Sequence, residues 1–170
     1  MIFVTVGTHE QPFDRLIRCV DGLKKDGQIK EEVIIQTGYS TYEPTYCIWQ
    51  KLYPYRQMQE FVAEARIIIT HGGPSSFIMP LQIGKIPIVV PRRHEFNEHV
   101  NDHQVMFSRT VAERIGSIIV VEEMDMLFET IRDYDEIIKG IGNGLKSHNA
   151  EFNAKLSEIV DELMKEKNRK

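Results

Sequence analysis

Short runs of apolar and β-branched residues, each followed by polar or glycine-rich sequence, restrict the fold of this chain more than any other feature. The four strongest runs are Ile2–Val6, Val33–Thr37, Arg66–Thr70 and Ile86–Val90, and a weaker fifth is Ser117–Val121. Continuous runs without polar alternation are typical of parallel strands that are buried on both faces. The sequence therefore predicts a mostly parallel sheet covered by helices.

Apolar residues at helical spacing occupy several of the intervals between these runs. The clearest pattern, between the first two runs, consists of Phe13, Leu16, Ile17, Val20 and Leu23. Strands that alternate with helices predict a doubly wound α/β fold with right-handed crossovers. The interval 38–55 is the least regular, and we expect a long connection there with one short strand near Tyr46–Lys51.

The last third of the sequence is helical in pattern. We expect the glycine-rich stretch Gly140–Gly144 to separate one helix from the next, which divides the chain into an α/β domain, 1–145, and an amphipathic C-terminal helix, 146–170. The apolar stripe of that last helix consists of Phe152, Leu156, Ile159, Val160, Leu163 and Met164. Two interpretations stay open, namely packing on its own domain and docking onto a partner.

The composition excludes several classes of protein. An apolar fraction of 42% and a charged fraction of 27% are those of a globular protein, and no apolar run approaches the roughly 20 residues of a membrane-spanning helix. The net charge of −4 and the lack of a basic stripe argue against nucleic-acid binding. The N-terminal residues do not resemble a signal peptide, so we expect a cytoplasmic protein in which Cys19 and Cys47 are reduced.

Two glycine-containing loops follow predicted strands. Gly7 and Thr8 follow the first strand, and the sequence His71-Gly72-Gly73-Pro74-Ser75-Ser76 follows the third. Ligands of open parallel sheets bind beyond the carboxyl ends of the strands, where helix N-termini and backbone N–H groups favour anions. The second loop therefore predicts a phosphate site, although a tight strand-to-helix turn without a ligand is the alternative.

A third loop, from Pro91 to Gln104, is dense in polar and charged residues and indicates recognition of a polar ligand. Within it, His99 and His103 have the i,i+4 spacing of metal ligands, but a third ligand is not indicated, so we predict no metal site. The chain also lacks the G-x-S-x-G and G-x-G-x-x-G motifs, which counts against a hydrolase or an oxidoreductase.

Taken in order, "VTVGTHEQPFDRL" from Val4, "ITHGGPSSFIMPLQIGKIPIVVPR" from Ile69 and "EHVNDHQ" from Glu98 resemble the C-terminal, donor-binding half of the family 28 glycosyltransferases. The resemblance is strongest to stand-alone subunits of this type, such as the small subunit of the dolichol-linked N-acetylglucosamine transferase and bacterial capsular or exopolysaccharide subunits. It implies a single Rossmann-like half of a GT-B fold, in which residues 1–145 form the nucleotide-sugar-binding domain.

The resemblance also implies roles for individual residues. The donor's diphosphate is expected at Gly7, Thr8, His71, Gly72, Gly73, Pro74, Ser75 and Ser76. The uracil is expected at Pro54 and Tyr55, and the sugar at Asn101, Asp102, His103 and Gln104. One position departs from the family pattern, because Met79 stands where an acidic residue commonly binds the ribose, and a methionine thioether is at most a weak acceptor.

A single half of a GT-B enzyme implies a partner. The resemblance implies a UDP-sugar donor, no cofactor, and inverting transfer of a hexose to a lipid-linked saccharide in surface polysaccharide synthesis. The general base is then expected on a membrane-associated acceptor-binding subunit, which recruits this chain to the inner face of the membrane. The other hypothesis is a non-catalytic accessory subunit that stabilises or enhances a partner glycosyltransferase, and Met79 favours it slightly.

Overall fold

The computed structural model describes residues 1–145, with the backbone alone for 142–145. Its centre is a six-stranded parallel sheet with the spatial order β3-β2-β1-β4-β5-β6. The strands are β1 (Ile2–Thr5), β2 (Val33–Gln36), β3 (Ile48–Gln50), β4 (Ile67–His71), β5 (Ile88–Val90) and β6 (Ile119–Val120). The chain winds outward from β1 in one direction and from β4 in the other, so a topological switch point lies between these two strands.

Helices connect the strands and cover both faces of the sheet. They are α1 (Asp14–Lys25), α2 (Tyr55–Glu64), α3 (Pro74–Gln82), α4 (His103–Ile115), α5 (Asp125–Arg132) and α6 (Tyr134–Leu145), with a 3-10 helix at His94–Phe96. Alternate residues of β1 show the two layers. Ile2 and Val4 are buried in the core that includes Leu16 of α1, whereas Phe3 faces the opposite layer and packs with Val62 of α2.

The structure confirms the doubly wound α/β prediction. Each of the five apolar runs forms a strand, of which β4 extends one residue beyond its run to His71, and the short strand expected near Tyr46–Lys51 is β3. The expected break at Gly140–Gly144 is wrong, because α6 continues to Leu145. A glycine costs a helix only about 1 kcal/mol relative to alanine, and α6 is anchored by buried Tyr134, whose hydroxyl donates to the Ile86 carbonyl at 2.7 Å.

Two predictions from the sequence concern the C-terminal part of the chain. The amphipathic helix predicted for 146–170 lies outside the described residues, and the division into two domains stays a prediction.

Cys19 and Cys47 are free thiols. Among residues 1–145, no helix has both the length and the apolar character needed to cross a bilayer.

Two polar contacts hold α2 and the long connection before it. Buried Asp21 of α1 accepts hydrogen bonds from the Tyr42 hydroxyl (2.8 Å) and from the amides of Thr45 and Tyr46 (3.0 and 2.8 Å), which fixes the path of the connection. The Lys85 ammonium donates to the Val62 and Ala65 carbonyls at the end of α2, at 3.0 and 2.6 Å. A cation there pairs with carbonyls that no further helical turn satisfies.

Candidate functional site

An open cleft lies at the carboxyl ends of β1, β2 and β4, beside the topological switch point. Its volume is about 460 Å³. The lining residues are Thr5, Gly7, Thr8, His9, Gln36, Tyr55, Met58, Val62, His71, Ser75, Ser76, Met79 and Gln104. This is the edge of the sheet where ligands of doubly wound folds bind, so the fold and the cleft indicate the same location.

The glycines of the two loops make room for one imidazole ring. A Cβ atom on Gly7 would lie 2.8 Å from Cδ2 of His71, and one on Gly73 would lie 2.9 Å from Nδ1, with other ring atoms nearer still in both cases. Gly7 also has a φ of +75°, which disfavours any side chain. The ring of His71 is thus held between the β1 loop and the β4 loop, and both positions require glycine.

The hydrogen bonds of His71 define its tautomer. The amide of Gly73 donates to Nδ1 at 3.0 Å, and Nε2 lies 2.7 Å from Oγ of Ser76. Burial, helped by the positive charge of Arg92, lowers the pKa of His71 to about 4, so the ring is neutral at physiological pH. Because Nδ1 accepts, Nε2 carries the proton and donates to Ser76. The hydroxyl hydrogen of Ser76 is then left to donate to a ligand.

Helix α3 points its N-terminus into the cleft. Gly73 is the residue before the helix and Pro74 is its first residue, so Pro74 contributes no N–H. The amide of Ser76 already donates to the Gly73 carbonyl at 3.0 Å. Among the described contacts this leaves the Ser75 amide, the two serine hydroxyls and the positive end of the helix dipole for an anion.

The β1 loop forms the opposite wall. Thr8 is exposed at the cleft, and the imidazole of His9 accepts from the Gln11 amide through Nδ1 at 3.2 Å. Burial and the neighbouring His99, whose ring centroid is 4.7 Å away, lower the pKa of His9. Its Nε2 is therefore also a neutral donor, and the sequence analysis did not identify it.

The floor and the apolar side of the cleft come from residues that the sequence did not single out. Gln36 at the end of β2 donates through Nε2 to Oγ1 of Thr5 at 3.1 Å and accepts from the Tyr53 amide at 3.0 Å. Met58 and Val62 of α2 face the cleft from the same side. Only the register of the sheet reveals that Gln36 and Thr5 lie side by side.

Residues expected at the base and the sugar fall into two groups. Tyr55 lines the cleft with 68% of its surface exposed, and Gln104 lines it from α4 with its Oε1 accepting from the Arg92 amide at 3.2 Å. The other residues of the polar motif, and Pro54, are exposed outside the lining. The Asn101 carboxamide accepts from the His103 amide at 3.1 Å, and the Asp102 carboxylate from the His94 amide at 2.8 Å, so both order their own loop.

Three diphosphate positions lie in the same loop without lining the cleft, namely Gly72, Gly73 and Pro74. Gly73 affects the cleft indirectly, because it leaves room for the His71 ring. Gly72 packs against α4, because a Cβ atom there would lie 2.9 Å from both Cβ of Gln104 and Oγ of Ser108. Every predicted assignment to diphosphate, uracil or sugar stays a prediction, since the contacts among these residues do not identify a ligand.

Met79 lines the cleft next to Met58 and Val62. No acidic side chain is present among the described residues that line the cleft. Nor do any three His, Cys, Asp or Glu side chains in residues 1–145 form a group able to hold a metal ion. Met79 packs with Met58 and Val62 in one apolar cluster, so this side of the cleft is apolar.

Comparison with a model of the glycosyltransferase family 28 C-terminal domain gives a match over residues 1–163. A similar human protein is the UDP-N-acetylglucosamine transferase subunit ALG13, with 34% identity over 107 residues. That alignment covers 58% of this chain and 9% of the human protein, so the chain spans a small part of this relative.

Two solved structures share the fold. The glycosyltransferase SnogD from Streptomyces nogalater superposes with a TM-score of 0.57 and 19% identity, over 93% of this chain and 43% of SnogD. The glycotransferase of kitacinnamycin superposes with a TM-score of 0.59 and 14% identity, over 95% of this chain and 42% of that protein. At such identities the likeness concerns the fold alone, and in both cases it covers less than half of a longer GT-B protein.

Proposed function

This chain belongs to the glycosyltransferase family 28 C-terminal domains, and from that membership we propose that it is the donor-binding subunit of a glycosyltransferase that uses a UDP-sugar. The observation that carries the proposal is the cleft at the switch point, where the two glycine loops and the N-terminus of α3 meet around His71. Family membership supports the reaction class, and the cleft supports the place of the donor.

The donor's diphosphate fits the part of the cleft between Gly7 and α3. There the Ser75 amide, the Ser76 hydroxyl and Nε2–H of His9 are donors on opposite walls. During transfer an acceptor oxygen forms a bond to the anomeric carbon while the bond to UDP breaks, and its electron pair goes to a diphosphate oxygen. Fixed donors and a helix dipole stabilise that developing charge without reorganisation.

We place the nucleoside toward Tyr55, Met58 and Met79, and the sugar toward Gln104. Tyr55 offers an exposed aromatic ring at the start of α2, which suits stacking on a base. Gln104 lines the cleft, and its side-chain oxygen accepts from the Arg92 amide. Asn101, Asp102 and His103 come just before Gln104 in the chain, and they would reach a sugar only from the edge of the cleft.

The proposal includes a second subunit. We propose that a membrane-associated partner supplies the acceptor site and the general base that takes the proton of the acceptor hydroxyl. The acceptor is a lipid-linked saccharide of surface polysaccharide synthesis, and the chain works in the cytoplasm at the inner face of the membrane. The similarity to a human protein described as a transferase subunit supports the presence of a partner.

One observation favours a different function, that of a non-catalytic accessory subunit. Met79 makes the proposed ribose side of the cleft apolar, and no carboxylate lines the described cleft to accept from ribose hydroxyls. If donor binding is lost for this reason, the chain acts by stabilising or enhancing its partner. Measured donor binding separates the two functions.

Gly73→Ala tests the donor site. A methyl group there overlaps the His71 ring, so we expect displacement of the ring from Ser76 and a loss of UDP affinity of about tenfold or more. Gly22→Ala is the matched control, because a Cβ atom on this α1 glycine meets nothing within 4 Å. Isothermal titration of each purified variant with UDP measures the affinity, and circular dichroism checks the fold.

Binding of UDP to the wild type and the control, with loss in Gly73→Ala, supports the proposal. No heat and no change in amide NMR shifts at millimolar UDP in the wild type would refute donor binding and favour the accessory function. Equal UDP affinity in Gly73→Ala and the wild type would place the nucleotide elsewhere on the chain.

A further inference from the structure

Arg92, the second residue after β5, is fully buried behind the cleft. Its Nη1 donates to the carbonyls of Gln11 (2.7 Å) and Glu98 (2.9 Å), and its Nη2 donates to the carbonyl of Val6 (2.8 Å). The guanidinium also lies over the ring of Phe13, with its carbon 4.9 Å from the ring centroid. One buried cation thus connects the β1 loop with the loop that precedes α4.

This guanidinium has no carboxylate partner among residues 1–145, since its recorded acceptors are all backbone carbonyls. The nearest acidic residue along the loop, Glu98, is bound instead by Arg15 through both oxygens, at 2.9 and 3.0 Å. Glu98 also accepts from the Arg93 amide at 3.0 Å. The Glu98 carboxylate also attracts the charge of Arg92, although burial still lowers the pKa of Arg92 to about 10. Two guanidinium groups, those of Arg15 and Arg92, thus share one carboxylate, which leaves one net positive charge inside the protein.

The groups around the cleft do not supply any other fixed charge. None of the described side chains that line it is Lys, Arg, Asp or Glu, and the chain as a whole carries a net charge of −4. A nucleotide diphosphate brings about two negative charges to this surface. Burying a charge without compensation is costly, and an ion of opposite sign nearby offsets part of that cost.

We propose that Arg92 is the positioning residue of the donor site, and that its buried charge is balanced by the diphosphate of the nucleotide sugar. The guanidinium does not touch the ligand, because the loops lie between them. It holds the β1 loop, which carries Gly7, against the loop that leads into α4 and Gln104, and its field favours a dianion over a neutral ligand. This inference rests on the proposed function.

The same charge acts on the two imidazoles of the cleft. Its repulsion helps to lower the pKa of both His9 and His71, after the larger effect of burial. His99 acts on both rings in the same direction, and Glu10 acts on His9 in the opposite direction. Together with burial and His99, Arg92 therefore helps to keep the histidines neutral, as donors of fixed tautomer, while it supplies the positive charge itself.

Arg92→Met and Arg92→Lys test the proposal, with Arg132→Met as the control. Arg132 on α5 pairs with neighbouring Asp133, so its removal changes the net charge equally without altering the cleft. The ligands are UDP-glucose, which carries the diphosphate, and uridine, which is neutral. Calorimetry measures the affinity of each variant for both ligands at two salt concentrations.

We expect Arg92→Met to bind UDP-glucose about tenfold more weakly, with little change for uridine, and Arg92→Lys to recover part of the loss. An equal loss for both ligands would show that Arg92 only supports the fold, and an unchanged affinity for UDP-glucose would also overturn the inference. If wild-type protein binds neither ligand, the proposed function fails, which is a separate outcome seen before any variant is compared.

A second measurement does not depend on ligand affinity. The pKa of His71, followed by imidazole NMR shifts in the free protein, should rise in Arg92→Met and stay low in Arg92→Lys and Arg132→Met. The measured pKa remains valid for a partly destabilised variant, because only the NMR signal of the folded protein is followed. The same His71 titration in Arg92→Met and the wild type would contradict the electrostatic role.

Discussion

The imidazole of His71 connects the shape of the cleft to its hydrogen bonding. It fills the space that Gly7 and Gly73 leave, and it aims the Ser76 hydroxyl by donating to its oxygen. A ring in that position has to be neutral, because its Nδ1 accepts from an amide and its surroundings are desolvated. The glycines therefore make room for the His71 side chain, and this side chain orients the Ser76 hydroxyl toward a ligand.

His71 predicts a pH dependence of stability. Its pKa falls from 6.5 to about 4 on folding, so folding favours the neutral ring. This contribution, roughly 3 kcal/mol at full extent, is present above pH 6.5 and is lost as the pH falls toward 4. Urea unfolding of the wild type at pH 7.0, 5.5 and 4.5 should show a steeper fall in the free energy of unfolding than His71→Asn shows.

His94→Asn is the control for that series, because His94 is exposed and its recorded contact is made by its backbone amide. It should follow the wild-type pH dependence. A His71→Asn variant as acid-sensitive as the wild type would assign the sensitivity to other groups, among which the carboxylate of Asp21 is the first candidate. Burial raises the pKa of Asp21, but the hydrogen bonds from the connection outweigh burial and lower it overall.

Helix α2 shows how an element far from the loops shapes the site. It brings Tyr55 and Met58 to the cleft, and its opposite end is held by Lys85, which lies in the turn after α3. The ammonium of Lys85 therefore ties the two helices that flank the proposed nucleoside region. This contact depends on the carbonyls that every helix leaves unpaired at its end.

Lys85→Met should keep the alkyl packing and remove this cap. We expect the free energy of unfolding to fall by about 1 kcal/mol, with faster hydrogen exchange in the last turn of α2. Lys139→Met, which removes an exposed lysine paired with Glu136, should leave both quantities unchanged. Urea denaturation and amide exchange measure the two effects, and equal results for the two variants would mean that the cap contributes nothing.

At the scale of the whole molecule, the cleft lies at one open edge of the sheet. An inverting transfer needs an acceptor and a base on the other side of the donor. The described lining of the cleft offers hydrogen-bond donors, which we propose bind the diphosphate, and it contains no carboxylate. The catalytic surface is therefore expected to form between two proteins.

This leads to a prediction about activity. The purified chain should bind a UDP-sugar but transfer no sugar to lipid-linked acceptors until an acceptor-binding partner is added. A radiolabelled-sugar assay with membranes from cells that express the partner, alone or with this chain, measures the transfer. Membranes with the partner alone are the control, and robust transfer by the single chain would contradict the need for two subunits.

Much of this architecture is predictable from the sequence because buried parallel strands leave continuous apolar runs. The edge of the sheet that carries the cleft, and the importance of Gly7 and the loop after His71, follow from strand ends alone. Arg92 was not predictable in this way. In the sequence it is one of several polar residues in a loop, and only the fold shows that it is buried, whereas residues 94–97 of the same loop are exposed.

Other residues escaped prediction for a related reason. Gln36 and Thr5 are single polar residues at strand ends, and their meeting depends on the parallel register of β1 and β2. Asn101 and Asp102 carry the right chemistry for a sugar, yet their side chains accept from nearby amides. For such side chains, hydrogen bonds to nearby backbone amides compete with binding of a ligand, and sequence patterns do not distinguish the two.

The sheet has its longest strands at its centre and its shortest at its borders. β4 has five residues, whereas the outer strands β3 and β6 have three and two. An outer strand of that length presents few free amides and carbonyls to a strand from another molecule. The described sheet thus offers a poor template for intermolecular β-pairing and aggregation, while its carboxyl edge stays open for a ligand.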